Sequence, residues 1–188
     1  QAVAMGRADR VPRLLEKGWP LDQAGVAHLL DGETVNGTAL LFAARAGRKD
    51  LAALLLRAGA NPNLQSAGQG SPLTAACQFG HLGAAELLLD HGADPTSVCG
   101  ASGLTPLHIL ARLPRYKMSE ELHLDLRQRV ERTLALAGRM LDLGADPAQP
   151  SAREGLTPFQ LAQRHGFGRM IWFLQDKGFA RASQPQPG

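Results

Sequence analysis

A short sequence recurs at three places in the chain, and this repetition constrains the fold more than any other feature. The segment LLLRAGANPN at residues 54–63 has a near copy 33 residues later, LLLDHGADPT, and MLDLGADP begins at Met140. A companion motif lies upstream of each copy and occurs once more after the last, with its Thr or Ser at Thr38, Ser71, Thr105 and Thr157. The intervals between these residues are 33, 34 and 52. Such a period predicts a stack of small units, because one unit alone cannot bury its apolar face.

Each unit is predicted to contain two helices. Thr105 can cap a helix N-terminus, and Pro106 is tolerated in the first turn. Gly47 and Gly80, nine residues after the Thr or Ser, mark the end of a short first helix. A second apolar segment follows and ends at a glycine suited to a helix C-cap. Its residues at helical spacing include Leu51, Leu54, Leu55, Ala84, Leu87 and Leu88. No segment alternates over a long stretch, so the predicted class is all-α with hairpin turns.

The motif GLTPLHILA, which begins at Gly103, and the motif LLDHGADP together resemble the ankyrin repeat, whose period is 33 residues. The resemblance extends over nearly the whole chain. It implies an all-α ankyrin-repeat solenoid, in which antiparallel helix pairs with β-hairpin turns stack side by side. Arginine outnumbers lysine sixteen to four, and alanine and glycine are abundant, which is typical of a GC-rich bacterial source.

A single domain is predicted over residues 1–181, followed by a disordered tail at 182–188. Its repeats are expected at 1–21 (partial), 36–66, 69–99, 103–150 and 155–181 (the C-terminal cap). The first residues, QAVAM, read as the end of a helix whose beginning is missing, so we expect further sequence before Gln1. The linker from Leu21 to Val35 is longer than its counterparts and predicts an expanded first hairpin.

The third full repeat departs from the pattern, because it carries a predicted helical insertion at about 114–133. Pro114 replaces the expected turn glycine, and Ser119 can cap a new helix. An apolar residue recurs every four positions, at Leu122, Leu126, Val130 and Leu134. We expect one helix of about 25 residues, roughly 37 Å long. Its apolar stripe is covered either by the preceding RLPRYKM loop or by a partner or a second copy of the chain. We favour the loop, and we therefore expect a monomer rather than a dimer.

The sequence predicts no catalytic, metal or cofactor site, and therefore no enzyme. None of the six histidines has the His-x-x-x-His spacing of a metal site, and glycine-rich phosphate loops are absent. Cys77 and Cys99 are too few for a disulfide framework, so two free thiols are expected, although a bridge between them stays open. Thr105 and His108 are interpreted as a structural lock of the turn, as the resemblance implies, and not as a nucleophile pair.

The resemblance implies that a partner protein binds a concave face formed by the hairpin tips and the ends of the first helices. The residues that map to this face are Arg45, Gln78, Phe79, Arg112, Leu113, Arg153, Arg164 and His165. Arginine and aromatic residues are enriched at interface hot spots, and arginine can bind a carboxylate through two hydrogen bonds. With Phe79 expected to be exposed, we predict an acidic protein or peptide as the partner. The alternative is that these arginines only increase solubility, since the net charge of +3 is mild.

Nucleic acid is disfavoured as a partner, because a charge of +3 is small for phosphate neutralisation and no basic stripe with interleaved aromatic residues occurs. Two function classes stay open. One is a non-enzymatic binding module that chaperones an enzyme, neutralises a toxin or binds a host protein. The other is a regulatory or targeting domain of a larger enzyme or secreted effector. No apolar run of eighteen residues and no signal peptide are visible. We therefore expect no membrane contact and a cytoplasmic location. A periplasmic or secreted location is the alternative if a leader preceded Gln1.

Overall fold

A computed structural model describes residues 16–18, 20–28, 34–66, 68–112 and 125–178. Within these ranges the chain forms one two-stranded hairpin, a short 3-10 helix at Gly100–Ser102 and eight α-helices in four consecutive pairs. The strands are β1 (Gly25–His28) and β2 (Thr34–Gly37). The first helices of the pairs are α1 (Ala39–Arg45), α3 (Pro72–Phe79), α5 (Pro106–Ala111) and α7 (Pro158–His165). The second helices are α2 (Lys49–Arg57), α4 (Leu82–Asp90), α6 (Leu126–Asp142) and α8 (Gly168–Asp176).

The pairs stack in sequence order and form two layers of helices. In one layer α1, α3, α5 and α7 contact one another in turn, and in the other α2, α4, α6 and α8 do the same. The core lies between the layers and between neighbouring pairs, where the largest fully buried side chains are mainly leucines, including Leu40, Leu55, Leu73 and Leu88. The stacked all-α architecture predicted from the repeat period is therefore confirmed.

The first helices begin at the hydroxyl residues that the motif predicts. The side-chain oxygens of Thr38, Ser71, Thr105 and Thr157 each accept a hydrogen bond from the backbone N–H three residues later, over 3.2 to 3.4 Å. Each bond satisfies one of the N–H groups that a helix start leaves without a partner. Two of these helices end at Gly80 and Gly166, whose φ values of 74° and 68° suit glycine at a helix C-terminus.

The second helices bury their apolar side in part as predicted. Leu55 and Leu88 are buried in the core, and Leu56 and Leu89 join them. Leu54, which was expected inside, is exposed, and Leu87 is half-buried. In a run of three leucines the helix turns about 100° per residue, so one member must face away from the neighbouring pair.

The predicted helix of about 25 residues is wrong, because α6 spans 17 residues and begins at Leu126. Asp125 ends it on the N-terminal side: its carboxylate accepts the N–H of Gln128 over 2.7 Å, and the Gln128 amide oxygen accepts the N–H of Asp125 over 3.2 Å. This reciprocal capping box fixes a helix start. At roughly 26 Å, α6 still exceeds the nine-residue α2, α4 and α8. Ser119 and Leu122 lie outside the described residues, as do residues 1–15 and the tail at 182–188.

The turns between neighbouring units are connected by side-chain amide and carboxylate oxygens. Asp22 Oδ1 accepts the backbone N–H of Asn61 over 2.9 Å, and Asn63 Oδ1 accepts that of Asp94 over 2.7 Å. Asp22 and Asn63 both lie four residues after a turn glycine, Gly18 or Gly59. The turn after Gly18 is thus joined to the next unit in the same way as the turn after Gly59. The expanded linker that follows it forms the β1–β2 hairpin, in which Gly25 pairs with Gly37 and His28 with Thr34.

Candidate functional site

The ends of α1, α3 and α7 lie close to a hairpin, and the clearest case is Arg45 at the end of α1. Its Nη1 donates a 2.7 Å hydrogen bond to Gln69 Oε1, in the hairpin that precedes α3. Its guanidinium also lies 4.4 Å from the centre of the Phe79 ring, at the end of α3. Such a cation over an aromatic face is favourable by about 0.5–1 kcal/mol where solvent has access. Phe79 is consequently half-buried, so the expectation of an exposed aromatic residue is wrong.

Further contacts continue this surface into the third unit. Gln78, which is exposed at the end of α3, accepts a weak hydrogen bond from the Cys99 thiol, with 3.9 Å between Oε1 and Sγ. The same thiol lies 3.7 Å from the carbonyl oxygen of Gln69. Burial raises the pKa of the Cys99 thiol, and it raises that of the fully buried Cys77 much further. Both cysteines are free, and both hold their protons at neutral pH, which argues against a nucleophilic role.

The hairpin before α7 carries the surface into the fourth unit. The backbone N–H of Arg153 donates to the carbonyl oxygen of Ser102 over 3.2 Å, so the third and fourth hairpins lie side by side. Next to it, Glu154 accepts a 2.6 Å hydrogen bond from Nη1 of Arg164, at the end of α7. Their side chains are 37% and 61% exposed, so this ion pair contributes little to stability and mainly fixes the position of the two charges.

We refer to these residues together as the helix-end surface. It consists of Arg45, Gln69, Gln78, Phe79, Arg112, Arg153, Glu154, Arg164 and His165. In the structure, Arg45 contacts Gln69 and Phe79, and Arg164 contacts Glu154, whereas Leu113 lies outside the described residues. Arg112 is half-buried at the C-terminal end of α5, His165 is half-buried at the end of α7, and the side chain of Arg153 is exposed.

Two residues of this surface were not foreseen as partners of the arginines. Gln69 lies two residues before the capping Ser71, and Glu154 lies three residues before Thr157. Their hairpin positions place them near the ends of the first helices. A polar side chain at such a position is the only feature of the sequence that could have identified a partner of an arginine. The sequence does not tell which of them meets an arginine, because Gln69 bonds across units whereas Glu154 bonds within its own unit.

The Thr105–His108 pair is a structural lock, as interpreted from the sequence. His108 is fully buried, and its Nδ1 accepts from the backbone N–H of Thr105 over 3.2 Å. Its Nε2 donates to the carbonyl oxygen of Leu156 in the fourth unit over 3.1 Å. Burial lowers the pKa of His108, and hydrogen bonds to the Leu156 and Gln149 carbonyls oppose that effect only in part. With both ring nitrogens occupied, no atom of this imidazole is available for catalysis.

No three His, Cys, Asp or Glu residues come together as metal ligands in the part of the chain that the structure describes. In the same part, no helix combines the length and the apolar character that crossing a membrane requires. The helix-end surface presents guanidinium groups, amides, the Glu154 carboxylate, the His165 imidazole and the partly covered ring of Phe79.

Comparison with known proteins agrees with this architecture. The family model described as ankyrin repeats in three copies matches residues 1–99 and again residues 40–128. The palmitoyltransferase Hip14 of Drosophila melanogaster is 36% identical over 110 residues, which are 58% of this chain and 16% of Hip14. A putative ankyrin repeat-containing protein of Treponema pallidum (strain Nichols) is 38% identical over 95 residues, which are 50% of this chain and 29% of that protein. The chain spans less than a third of either relative.

Proposed function

Because the chain belongs to the ankyrin-repeat family, whose members are generally protein-interaction modules, we propose that it binds an acidic protein or peptide through the helix-end surface. This surface corresponds to the concave face that the family resemblance implies. The observation that carries the proposal is the recurrence of arginine at equivalent first-helix ends, Arg45, Arg112 and Arg164, together with Arg153 in the hairpin before α7.

The charge balance of this surface supports an acidic partner. Glu154 is the one acidic side chain among its nine residues, and it is bound by Arg164. Arg112 and Arg153 therefore have no acidic partner within this set. Guanidinium groups bind carboxylates through charge-assisted hydrogen bonds, which are about twice as strong as neutral ones. A partner that carries carboxylates gains these bonds, whereas a basic partner meets repulsion.

A second function receives support from one observation. Hip14, by its name a palmitoyltransferase, contains a segment similar to more than half of this chain, although that segment is only 16% of Hip14. Ankyrin repeats are typically non-enzymatic, so within this reading the chain is a regulatory or targeting domain of a larger enzyme. The helix-end surface then recognises the substrate protein or another domain of the enzyme.

A display library of random peptides tests the leading proposal. The wild-type chain is expected to enrich peptides rich in Asp and Glu, and Arg45→Glu/Arg112→Glu is expected to lose that enrichment. The matched control is Arg57→Glu/Arg169→Glu, which changes the net charge equally but alters exposed residues of the second helices α2 and α8. This control should still enrich acidic peptides, and circular dichroism should show all three proteins folded. Enrichment of non-acidic peptides, or acidic enrichment that survives Arg45→Glu/Arg112→Glu, would refute the proposal.

A further inference from the structure

We propose that Arg112 and Arg153 are the carboxylate-binding residues of the helix-end surface, and that they bind an extended acidic segment with two carboxylates about three residues apart. Arg45 and Arg164 hold the surface together instead. This inference rests on the proposed function, since it names the residues and the partner chemistry of the same surface. It departs from the sequence prediction, which treats all these arginines alike.

Arg45 is already occupied by its own chain. Its guanidinium donates to Gln69 at 2.7 Å and covers the ring of Phe79 at 4.4 Å, and the side chain is half-buried. A carboxylate could use only the remaining N–H groups of this half-buried guanidinium, which the bond to Gln69 and the ring hold in place. Since those interactions exist before any partner arrives, Arg45 gains little from a new acceptor.

Arg164 is occupied by a carboxylate of the same unit. Glu154 Oε2 accepts a hydrogen bond from its Nη1 over 2.6 Å, which positions a negative charge beside this guanidinium. An incoming acidic side chain would have to displace Glu154, whose negative charge would remain a few ångströms away. Like charges at that distance repel, so the pair presents little net attraction for an acidic segment.

Arg112 holds the same position in its unit as Arg45, but the residues at the positions of Arg45's partners differ there. Both arginines lie seven residues after the capping threonine, Thr105 or Thr38. Two residues before the cap of the following unit, Gln69 is replaced by Gly155, which has no side chain to accept a hydrogen bond. The equivalent of Phe79 is His165. Within the described ranges, the guanidinium of Arg112 makes no hydrogen bond, ion pair or ring contact.

Arg153 supplies the second cation from the adjacent hairpin. Its backbone N–H is bonded to Ser102, and the residue before it, Ala152, packs tightly against Gly103, so the backbone of Arg153 is fixed against the third unit. Its side chain is exposed, and in the described part of the chain it has no ionic or hydrogen-bonded partner. A fixed backbone that carries an unpaired guanidinium limits the entropy lost on binding.

The spacing of the units indicates the partner's form. Arg112 belongs to the third unit and Arg153 to the hairpin of the fourth, and neighbouring units stack at about the 8–10 Å that separates packed helices. An extended peptide advances roughly 3.3 Å per residue, so carboxylates three residues apart are separated by on the order of 10 Å. One extended segment can therefore place a carboxylate on each arginine.

Fluorescence anisotropy tests the assignment with three labelled peptides: GSEGSEGS, the adjacent-glutamate peptide GSEEGSGS, and the neutral GSQGSQGS. Two variants with the same change in net charge are compared, Arg112→Gln/Arg153→Gln and Arg45→Gln/Arg164→Gln. We expect GSEGSEGS to bind most tightly to the wild type. We expect its Kd to rise at least tenfold in the first variant and less than threefold in the second. Arg112→Lys/Arg153→Lys keeps the positive charges but loses the paired N–H donors of the guanidinium, so it should weaken binding severalfold. This variant also controls for a loss of folding in Arg112→Gln/Arg153→Gln.

The outcomes separate this inference from the function on which it rests. An equal loss in both glutamine variants, or a larger loss in Arg45→Gln/Arg164→Gln, overturns the assignment but leaves acidic recognition standing. Equal binding of GSEGSEGS and GSEEGSGS overturns the spacing. If the wild type binds neither glutamate peptide better than GSQGSQGS, the proposed acidic partner itself is wrong.

Discussion

Replacing His108 with leucine removes the side chain that joins the third and fourth units. Its Nδ1 accepts the Thr105 N–H, and its Nε2 donates to the Leu156 carbonyl. The substitution leaves both backbone groups without these partners, at about 1–3 kcal/mol for each buried group. The larger apolar side chain recovers part of that cost. Leucine can occupy this position, since Leu41 holds it in the first unit and is fully buried. We therefore expect His108→Leu to lower the free energy of unfolding by about 2–4 kcal/mol.

Gln160 provides the matched control, because it holds the same position in the fourth unit. It accepts the N–H of the half-buried Thr157 over 2.9 Å, as His108 does for Thr105. Gln160→Leu loses only this capping contact, so we expect about 0.5–1 kcal/mol. Urea unfolding followed by circular dichroism measures both free energies. If His108→Leu were no less stable than Gln160→Leu, the contact with Leu156 would not couple the two units.

The same variant tests the pH dependence of stability. Burial lowers the pKa of His108 in the folded chain, whereas the unfolded chain titrates near about 6.5. Below that pH the unfolded state binds more protons, so stability is complete above about pH 6.5 and falls as the pH drops towards the folded pKa. Protonation of Nδ1 would also oppose the Thr105 N–H. His81, whose pKa burial likewise lowers, adds to this loss. His108→Leu should therefore lose less stability than the wild type between pH 7 and pH 5, and an unchanged slope would refute this reasoning.

Three further predictions concern the stack. Gly103→Ala places a Cβ 2.6 Å from the backbone nitrogen of Ala152, at a φ of +61°, and should lower the free energy of unfolding by about 3 kcal/mol or more. Gly155→Ala, at a φ of +65° with open space around it, should lower it by only about 1–2 kcal/mol. Equal melting temperatures of the two variants would contradict this. Arg132→Gln/Arg139→Gln breaks the ion pairs of α6 with Glu86 and Asp90 on α4, and should lower the free energy of unfolding by about 0.5–2 kcal/mol at low salt and by less in 1 M NaCl. Arg127→Gln, which breaks a pair within α6, should lower it by about 0.3 kcal/mol. If the difference between the two variants did not depend on salt, the ion pairs would not be its cause. A thiol reagent should modify only Cys99 in the native chain, and slowly, because burial raises its pKa, and both cysteines in urea; a disulfide would be inconsistent with the two free thiols.

The sequence predicted the fold well where a residue type recurs at a fixed interval. The capping residues Thr38, Ser71, Thr105 and Thr157 all begin helices, because a hydroxyl before a helical segment has one local use in every unit. The start of α6 was not predicted, although Asp125 and Gln128 have the spacing of a capping box. The apolar residues at four-residue spacing suggested a continuous helix and outweighed that local signal, yet Leu126 is 65% exposed and contributes little to the core. Periodicity indicates which face is apolar and not where a helix begins.

The candidate site was predicted as a set of positions but not as a set of interactions. The sequence gives Arg45, Arg112 and Arg164 one description, seven residues after the cap, and hence one expected role. Their environments differ because the hairpins opposite them do not repeat: an amide at Gln69, a carboxylate at Glu154 and no side chain at Gly155. The contact between two side chains from different units depends on the stacking geometry, which the motif of a single unit does not contain. Residues that repeat therefore specify the stack, and the hairpin residues that vary decide which arginines contact a side chain of their own chain.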